Sequence, residues 1–267
     1  MDDSHEQRVA ARRRDREVRL AAEDGWLAAS GLTWLDSGPN DTPIGVIHVS
    51  ETGTTLEVPA GLPVSCDGQG VTRLALRSDA EPNSHRLKLG KRTFQLLRRG
   101  GTLALREWDA DNPFRLAYRG LSYFPVDPAW RVQARLIRHE VPRRLELPSV
   151  LGTIEEFSSP GTLSFQAPGG LACTLEPVLD SGKLLIIFGD QTNSDETYGS
   201  GRFLLAELPD DLRGGPQGSG DVELDFNLAY NPPCAFTPYA TCPLTPPQNR
   251  LPLRVDAGEK RPATGHP

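Results

Sequence analysis

Glycine and proline punctuate this chain from end to end, and no other feature constrains its fold so much. Twenty-six Gly and 24 Pro are scattered through 267 residues without a fixed period, so they mark turns between short elements and not a fibrous repeat. The segments between them are apolar, β-branched runs of strand length. Residues 46–49, 54–58, 71–77, 93–98, 102–107, 131–138, 161–166, 183–188 and 201–208 all suit strands. Gly100-Gly101 between two of them predicts a hairpin turn. Leu184-Leu185-Ile186-Ile187-Phe188 is apolar on both faces, which predicts a strand deep inside its sheet. The expected fold class is mainly β: an antiparallel β-sandwich or partly open barrel with an N-terminal α-helix.

The helix is read from Ser4 and Gln7, which have the S-x-x-Q spacing of a capping box, and from seventeen following residues that lack Gly and Pro. It is expected over residues 4–24, stopped by Gly25. Its Arg8, Arg12, Arg13, Arg14, Arg16 and Arg19 alternate with Glu6, Asp15, Glu17, Glu23 and Asp24. That pattern predicts a solvated face laced with side-chain ion pairs. Trp26, Leu27, Leu32, Trp34 and Leu35 form an apolar group expected to dock the helix, and residues 36–41 read as a turn-rich patch. The length suits one core. The expected organisation is a helix at 1–24 packed on the body, a single β-rich domain at 25–259, and a frayed tail at 260–267.

A net charge of −6 and a pI of about 5.5 argue against general nucleic-acid binding, which requires a cluster of unopposed Lys and Arg. No segment reaches the roughly 18 apolar residues of a membrane span. The first residues have neither the cationic start nor the apolar run of a signal peptide. A cytoplasmic location is therefore expected, with no membrane or nucleic-acid partner. There disulfides are disfavoured, and Cys66, Cys173, Cys234 and Cys242 are expected as thiols or metal ligands.

Polar chemistry concentrates between Asp190 and Arg250. Residues 189–202 follow the most apolar strand directly and carry Asp190, Thr192, Tyr198 and Arg202. Polar groups at the mouth of a rigid strand suit a binding site. They equally suit a tight turn, with Asp190 and Thr192 bonding local backbone and Arg202 paired to a carboxylate. Further on, Val222, Leu224 and Phe226 alternate as one face of a strand that leads into a proline-stiffened loop bearing Tyr230, Asn231, Cys234, Phe236, Tyr239 and Cys242. Fixed backbone angles and aromatic anchors would present Asn and Cys with little ordering cost.

Cys234 and Cys242 admit three readings: core thiols, a thiolate nucleophile, or two ligands of a metal. The metal reading lacks C-x₂₋₄-C spacing and would need remote His48, His85 or His139. Asn231-Pro232-Pro233 resembles the N-P-P-aromatic motif of amino-group methyltransferases, but Cys234 stands in the aromatic place and no glycine-rich cofactor turn precedes it. Asn249 and Arg250 close the set. Arg250 is able to clamp an anion or to pair with Asp225 or Glu259. Arg106 and Asp109 form a lesser candidate beyond a strand. Phosphate-loop, dinucleotide, zincin and nucleophile-elbow signatures are missing, so no cofactor is expected.

Several of these strings resemble one prokaryotic family, domain-of-unknown-function family 1684. They are Phe188-Gly189-Asp190-x-Thr192, Thr197-Tyr198-x-x-Gly201-Arg202-Phe203-Leu204, Asp225-Phe226-Asn227-x-Ala229-Tyr230-Asn231-Pro232-Pro233-Cys234-Ala235-Phe236 and Cys242-Pro243-Leu244-x-Pro246-Pro247-x-Asn249-Arg250-Leu251. Gly25-Trp26-Leu27, Gly31-Leu32-x-Trp34-Leu35 and Ala257-Gly258-Glu259-Lys260 resemble its ends. Asn193 departs from the Ser-Gly the family carries after this threonine, a change expected to alter a turn more than a site. The resemblance implies no particular activity.

The leading functional expectation is a small-molecule site, hydrolytic in its sharpest form, between residues 190–202 and 230–250. Arg202 and Arg250 would hold an anionic ligand, Thr192, Tyr198, Tyr230, Asn231 and Asn249 would orient it, and Cys234 or Asp190 would react. The alternative is a non-catalytic module in which the same residues form a structural network. Convergence on one open cavity would favour the first, and mutual hydrogen bonding in a sealed interior the second.

Overall fold

A computed structural model describes residues 3–209 and 218–263. They divide into two compact units. One holds Glu17 and the residues before it together with everything from Arg119 onward; the other is Val18–Tyr118.

The Val18–Tyr118 unit is two antiparallel sheets. Its strands are β1 (Ala29–Leu35), β2 (Gly38–Thr42), β3 (Gly45–Ser50), β4 (Gly53–Glu57), β5 (Ser65–Cys66), β6 (Gln69–Gly70), β7 (Arg73–Leu76), β8 (Leu87–Leu89), β9 (Arg92–Arg99) and β10 (Thr102–Asp109). One sheet runs β1-β10-β9-β8-β5-β6 and the other β2-β3-β4-β7. Leu35, Ile47, Leu56, Phe94, Leu96 and Leu105 share the core between them. The hairpin expected at Gly100-Gly101 is present, with Thr102 opposite Arg99, and both glycines have positive φ.

One reading of this region needs correction: most of the turn-rich patch lies in the strand β2. The apolar group after the helix is a 3₁₀ turn, Trp26–Ala28, followed by β1. Neither has alternating polarity. Pairing of β1 with distant β10, and of β2 with β3 across a tight turn, makes them strands, a signal that the pattern of polarity does not carry. Arg106 lies buried, its guanidinium 4.7 Å from the Trp26 ring and 5.8 Å from that of Trp108.

The other unit begins with helix α1 (Asp3–Leu20), whose last residues belong to the neighbouring unit. Ser4 is not its cap: it lies inside the first turn, with its hydroxyl accepting from Arg8 Nη1 at 3.1 Å. The helix also stops before Asp24. The strands are β11 (Arg131–Pro148), β12 (Ile154–Gln166), β13 (Ala172–Leu175), β14 (Val178–Asp180), β15 (Lys183–Phe188), β16 (Arg202–Glu207) and β17 (Ser219–Asp225). They form antiparallel sheets of order β13-β12-β11-β17 and β14-β15-β16. The sheets of the chain do not close into a barrel, so the sandwich alternative holds.

The core of this unit lies between the two sheets. Leu136, Leu163, Phe165, Leu175 and Leu224 from the first meet Leu184, Ile186, Phe188 and Leu204 from the second. Phe226, directly after β17, sits at the centre with no exposed surface, and its ring packs 5.4–5.7 Å from those of Trp130, Phe165 and Phe188. β15 is the middle strand of its sheet and is buried on both faces, as its composition predicts.

β11 extends ten residues beyond the expected strand end at 138. Its outer half, from His139 to Glu146, is mostly charged and exposed, interrupted by Pro142, and its Val141 and Leu145 are too far apart for a period of two to announce it. Pairing with β12 defines it, across a bulge between Arg138 and Arg143. The tip of this hairpin folds back: Val150 N donates to Cys242 O at 3.0 Å and Leu244 N to Pro148 O at 2.8 Å. After β17 the chain makes one-turn 3₁₀ helices and extended links but no further strand among the described residues. The tail expected to fray from 260 stays tied at its start. Lys260 N bonds Ser122 O and Arg261 N bonds Glu196 O, while residues 264–267 lie outside those described. Among the described residues no helix is long and apolar enough to cross a membrane.

Phe226→Ala is expected to cost about 3–5 kcal/mol, read as a lower midpoint in urea unfolding with unchanged slope. A loss below about 1 kcal/mol would mean this aromatic cluster is not the centre of the core.

Candidate functional site

The polar stretch after β15 is built by reciprocal capping. Gly189 links it to residues 249–251, since Gly189 N donates to Asn249 O at 3.0 Å and Leu251 N to Gly189 O at 2.8 Å. Asp190 then caps the 3₁₀ turn Gln191–Ser194: its Oδ1 accepts from Thr192 N at 2.8 Å and Thr192 Oγ1 at 2.5 Å. Asn193 Oδ1 accepts from Asp190 N at 2.7 Å, and its amide donates to Thr197 Oγ1 and Tyr198 O, each at 2.9 Å. Asn193 thus closes the turn from inside.

Arg202 opens β16 opposite Phe188. Its Nη2 donates to Asp190 Oδ2 at 2.8 Å and to Val255 O at 2.9 Å, and Nη1 donates to Ala257 O. Both side chains of this ion pair are 0% exposed. Burial pulls the guanidinium below its ordinary pKa while Asp190 pushes it back up. Gly201 is needed here. Its φ is +99°, and a Cβ would overlap Thr245 Oγ1 and lie 2.5 Å from Phe188 O.

A second buried network surrounds Glu259, which is 1% exposed. Asn231 donates to Glu259 Oε2 twice, from its backbone N at 2.8 Å and from Nδ2 at 3.1 Å, and Nδ2 also reaches Lys260 O at 2.8 Å. From helix α1, Arg16 Nε reaches Glu259 Oε1 at 3.1 Å and Nη2 reaches Asn231 O at 2.9 Å. The same guanidinium lies 4.9 Å from the Tyr230 ring centre. Arg13, one turn earlier, donates to Phe124 O and Asn227 O. The helix face read as solvated thus carries two arginines that bind the body. Burial raises the Glu259 pKa and Arg16 opposes the rise.

The remaining candidates separate clearly. Asn249 is 1% exposed and fully used, donating to Glu176 O and Ile187 O and accepting from Glu176 N. Tyr230 pairs its backbone with that of Phe203, and burial pushes its phenol up to about 12. Arg250 is exposed and pairs with neither expected partner: Asp225 accepts from His5 at 2.7 Å, and Glu259 holds Arg16.

Cys234 is half-buried and Cys242 buried, and all four cysteines are free thiols. Cys234 N donates to Cys242 Sγ at 3.2 Å, and the Tyr198 hydroxyl donates to Cys234 O at 3.2 Å. A hydrogen bond from Cys242 lowers the Cys234 pKa, with burial opposing. Burial, with Cys234 beside it, pushes Tyr198 up to about 12. Among the described residues no three or more His, Cys, Asp or Glu side chains gather where a metal ion could sit.

Asp190, Thr192 and Arg202 therefore belong to one sealed cluster and Asn231 to a second that Arg202 touches at Glu259 O, while Asn249 joins the first through the Gly189 backbone. Tyr198, Tyr230 and Cys234 keep partial exposure, and Arg250 is open. Sequence reasoning missed Arg16, Asn193 and Thr197 as members of these networks. The signal for Arg16 is slight: it shares a helix stripe with the buried Val9 and Leu20 in a segment otherwise rich in charge.

The chain belongs to the family described as Protein of unknown function (DUF1684), whose model matches residues 116–260, just over half of the chain. That span lies almost wholly within the unit that begins at Arg119, and the resembling strings at residues 25–35 fall outside it. No curated protein matches. Five chains of solved structures do. One is the solution NMR structure of the uncharacterized protein from gene locus rrnAC0354 of Haloarcula marismortui. It is 36% identical, with 55% of this chain and 78% of that one covered and a TM-score of 0.45.

Two tests follow from the networks. Arg202→Met should cost about 3–5 kcal/mol, because it strands a buried carboxylate, and Asp190→Asn with Arg202→Met should cost less than the sum of the single changes. Denaturant unfolding of all four proteins measures this, and strict additivity would refute the coupling. For Glu259, a folded pKa raised above the ordinary 4.5 means its contribution is complete at acid pH and is lost as pH rises through the raised value. Thermal midpoints of Glu259→Gln relative to the parent should therefore shift in the variant's favour as pH rises from 4.5. A pH-independent difference would contradict the raised value.

Proposed function

We propose that this chain is a non-catalytic binding or interaction module, in which the polar residues between Asp190 and Glu259 hold irregular backbone together. The observation that carries this reading is the complete burial of the Asp190–Arg202 pair. A group that must meet a ligand keeps an open face or an unused donor directed at it. The Nη atoms of Arg202 are spent instead on Asp190 and on the Val255 and Ala257 carbonyls, and its Nε, which has no partner among the described residues, is sealed from solvent. Thr192, Asn231 and Asn249 are buried in the same way, with their amide or hydroxyl protons given to protein acceptors.

A narrower reading keeps a small-molecule site, with Cys234 as the reactive group and Arg250 as an anion clamp. What favours it is the partial exposure of Cys234, its lowered pKa, and the exposure of Arg250. Against hydrolysis stands the chemistry around the sulfur. Cys242, Tyr198 and the Cys234 amide are the groups that act on it. A phenol held near 12 is a poor general base at neutral pH, and a leaving group still needs a proton.

Assays of purified protein on phosphate, sulfate and carboxylate ester panels separate the readings. No turnover is expected above that of the Cys234→Ala and Arg250→Ala variants. Turnover that Cys234→Ala abolishes, in a variant with an unchanged unfolding midpoint, would replace the module with a thiol hydrolase.

A further inference from the structure

We propose that Cys234 and Cys242 are a reversible dithiol–disulfide pair, oxidised by low-molecular-weight disulfides. Three observations carry it. The first is proximity: the Cys234 amide donates to Cys242 Sγ at 3.2 Å, which places that sulfur against the backbone from which the Cys234 side chain springs. A disulfide needs the two side chains to spring from neighbouring backbone, and a sulfur in contact with the partner's own amide lies beside the Cα from which the partner side chain leaves.

The second is asymmetry of access. Cys234 is half-buried and Cys242 is 5% exposed, so an incoming disulfide meets Cys234 first and Cys242 is shielded until the second step. The neighbouring Cys242 lowers the Cys234 pKa against the effect of burial, and so raises its thiolate fraction. Cys66 and Cys173 behave oppositely, with burial raising both.

The third is position. The pair lies where three segments meet: Tyr198 bonds the Cys234 carbonyl, and the β11–β12 tip bonds the Cys242 carbonyl. Within the loop between the cysteines, the turn Pro233–Ala235 and Pro238 stiffen the backbone, which limits the freedom lost on closure.

The chemistry balances in two exchanges. The Cys234 thiolate attacks one sulfur of R–S–S–R, forming a mixed disulfide and expelling RS⁻. Cys242, losing its proton to the expelled thiolate, attacks Cys234 Sγ and expels the second RS⁻, which is protonated from water. The protein loses two electrons and two hydrogens, and the small disulfide becomes two thiols. The reading does not depend on the module proposal, because neither cysteine belongs to the Asp190 or Glu259 networks.

Oxidised glutathione added to the reduced protein, followed by intact mass and peptide mapping, tests it. Wild type should lose the mass of two hydrogens through a 234–242 crosslink, which dithiothreitol reverses. Cys242→Ser should instead accumulate one glutathionyl adduct on Cys234, and Cys234→Ser should form neither product at that loop. A stable adduct on wild-type Cys234, or reaction first at Cys66 or Cys173, would overturn the pair. Should either serine variant fail to fold, phenylarsine oxide on the native reduced protein decides. It should cross-link Cys234 to Cys242 and block crosslinking by oxidised glutathione, whereas arsenical capture at neither cysteine would count against the proposal.

Discussion

The buried ion pair of Arg202 and Asp190 sets the terms for the C-terminal part of the chain. Two charges removed from water cost several kcal/mol each, and their attraction offsets this only when the remaining donors and acceptors are also satisfied. Asp190 Oδ1 meets that condition locally, through the Thr192 amide and hydroxyl. Arg202 cannot. Its second set of donors needs carbonyls that no strand of the sheet offers, and the segment around Val255 and Ala257 supplies them. Residues 249–257 are consequently held beside β15 and β16 without being strands themselves.

Asparagine does comparable work where the ladder ends. An amide offers two donors and an acceptor, and so stands in for one peptide group on a strand edge. Asn227 exchanges bonds with the Asp127 backbone in both directions, Asn231 reaches Glu259 and Lys260, and Asn249 splices the Glu176 backbone to Ile187. Each sits next to a 3₁₀ turn or a proline, where the backbone has lost regular partners. This explains why these residues looked like ligand-holding groups: the requirement for buried, correctly aimed amides is the same in both roles.

How far the sequence could be read follows from where the information lies. The β-rich class, the glycine hairpin at 100–101, the doubly buried strand 183–188 and the alternation of Val222, Leu224 and Phe226 are legible because each is a local pattern of polarity or turn chemistry. β2 and the outer half of β11 are not, since their residues are polar or turn-forming and only a partner strand makes them extended. The polar stretch 189–202 was located correctly as a concentrated cluster. Its role was left between two, because one sequence serves a capped turn and a ligand loop equally well. The tight turn, with Asp190 bonding local backbone and Arg202 paired to a carboxylate, is the one these bonds display.

Composition and periodicity by themselves determined that this chain builds antiparallel sheets with a helix at its start, and which residue types gather near residues 190–259. Which polar and charged side chains are buried was decided by tertiary structure alone. Arg16 meets Glu259 and Arg202 meets Ala257 only because distant backbone returns to them. Whether an arginine is a solvated charge, an anion clamp or the centre of a sealed network depends on that return, and the energy of a charge depends on the water around it rather than on its neighbours in sequence.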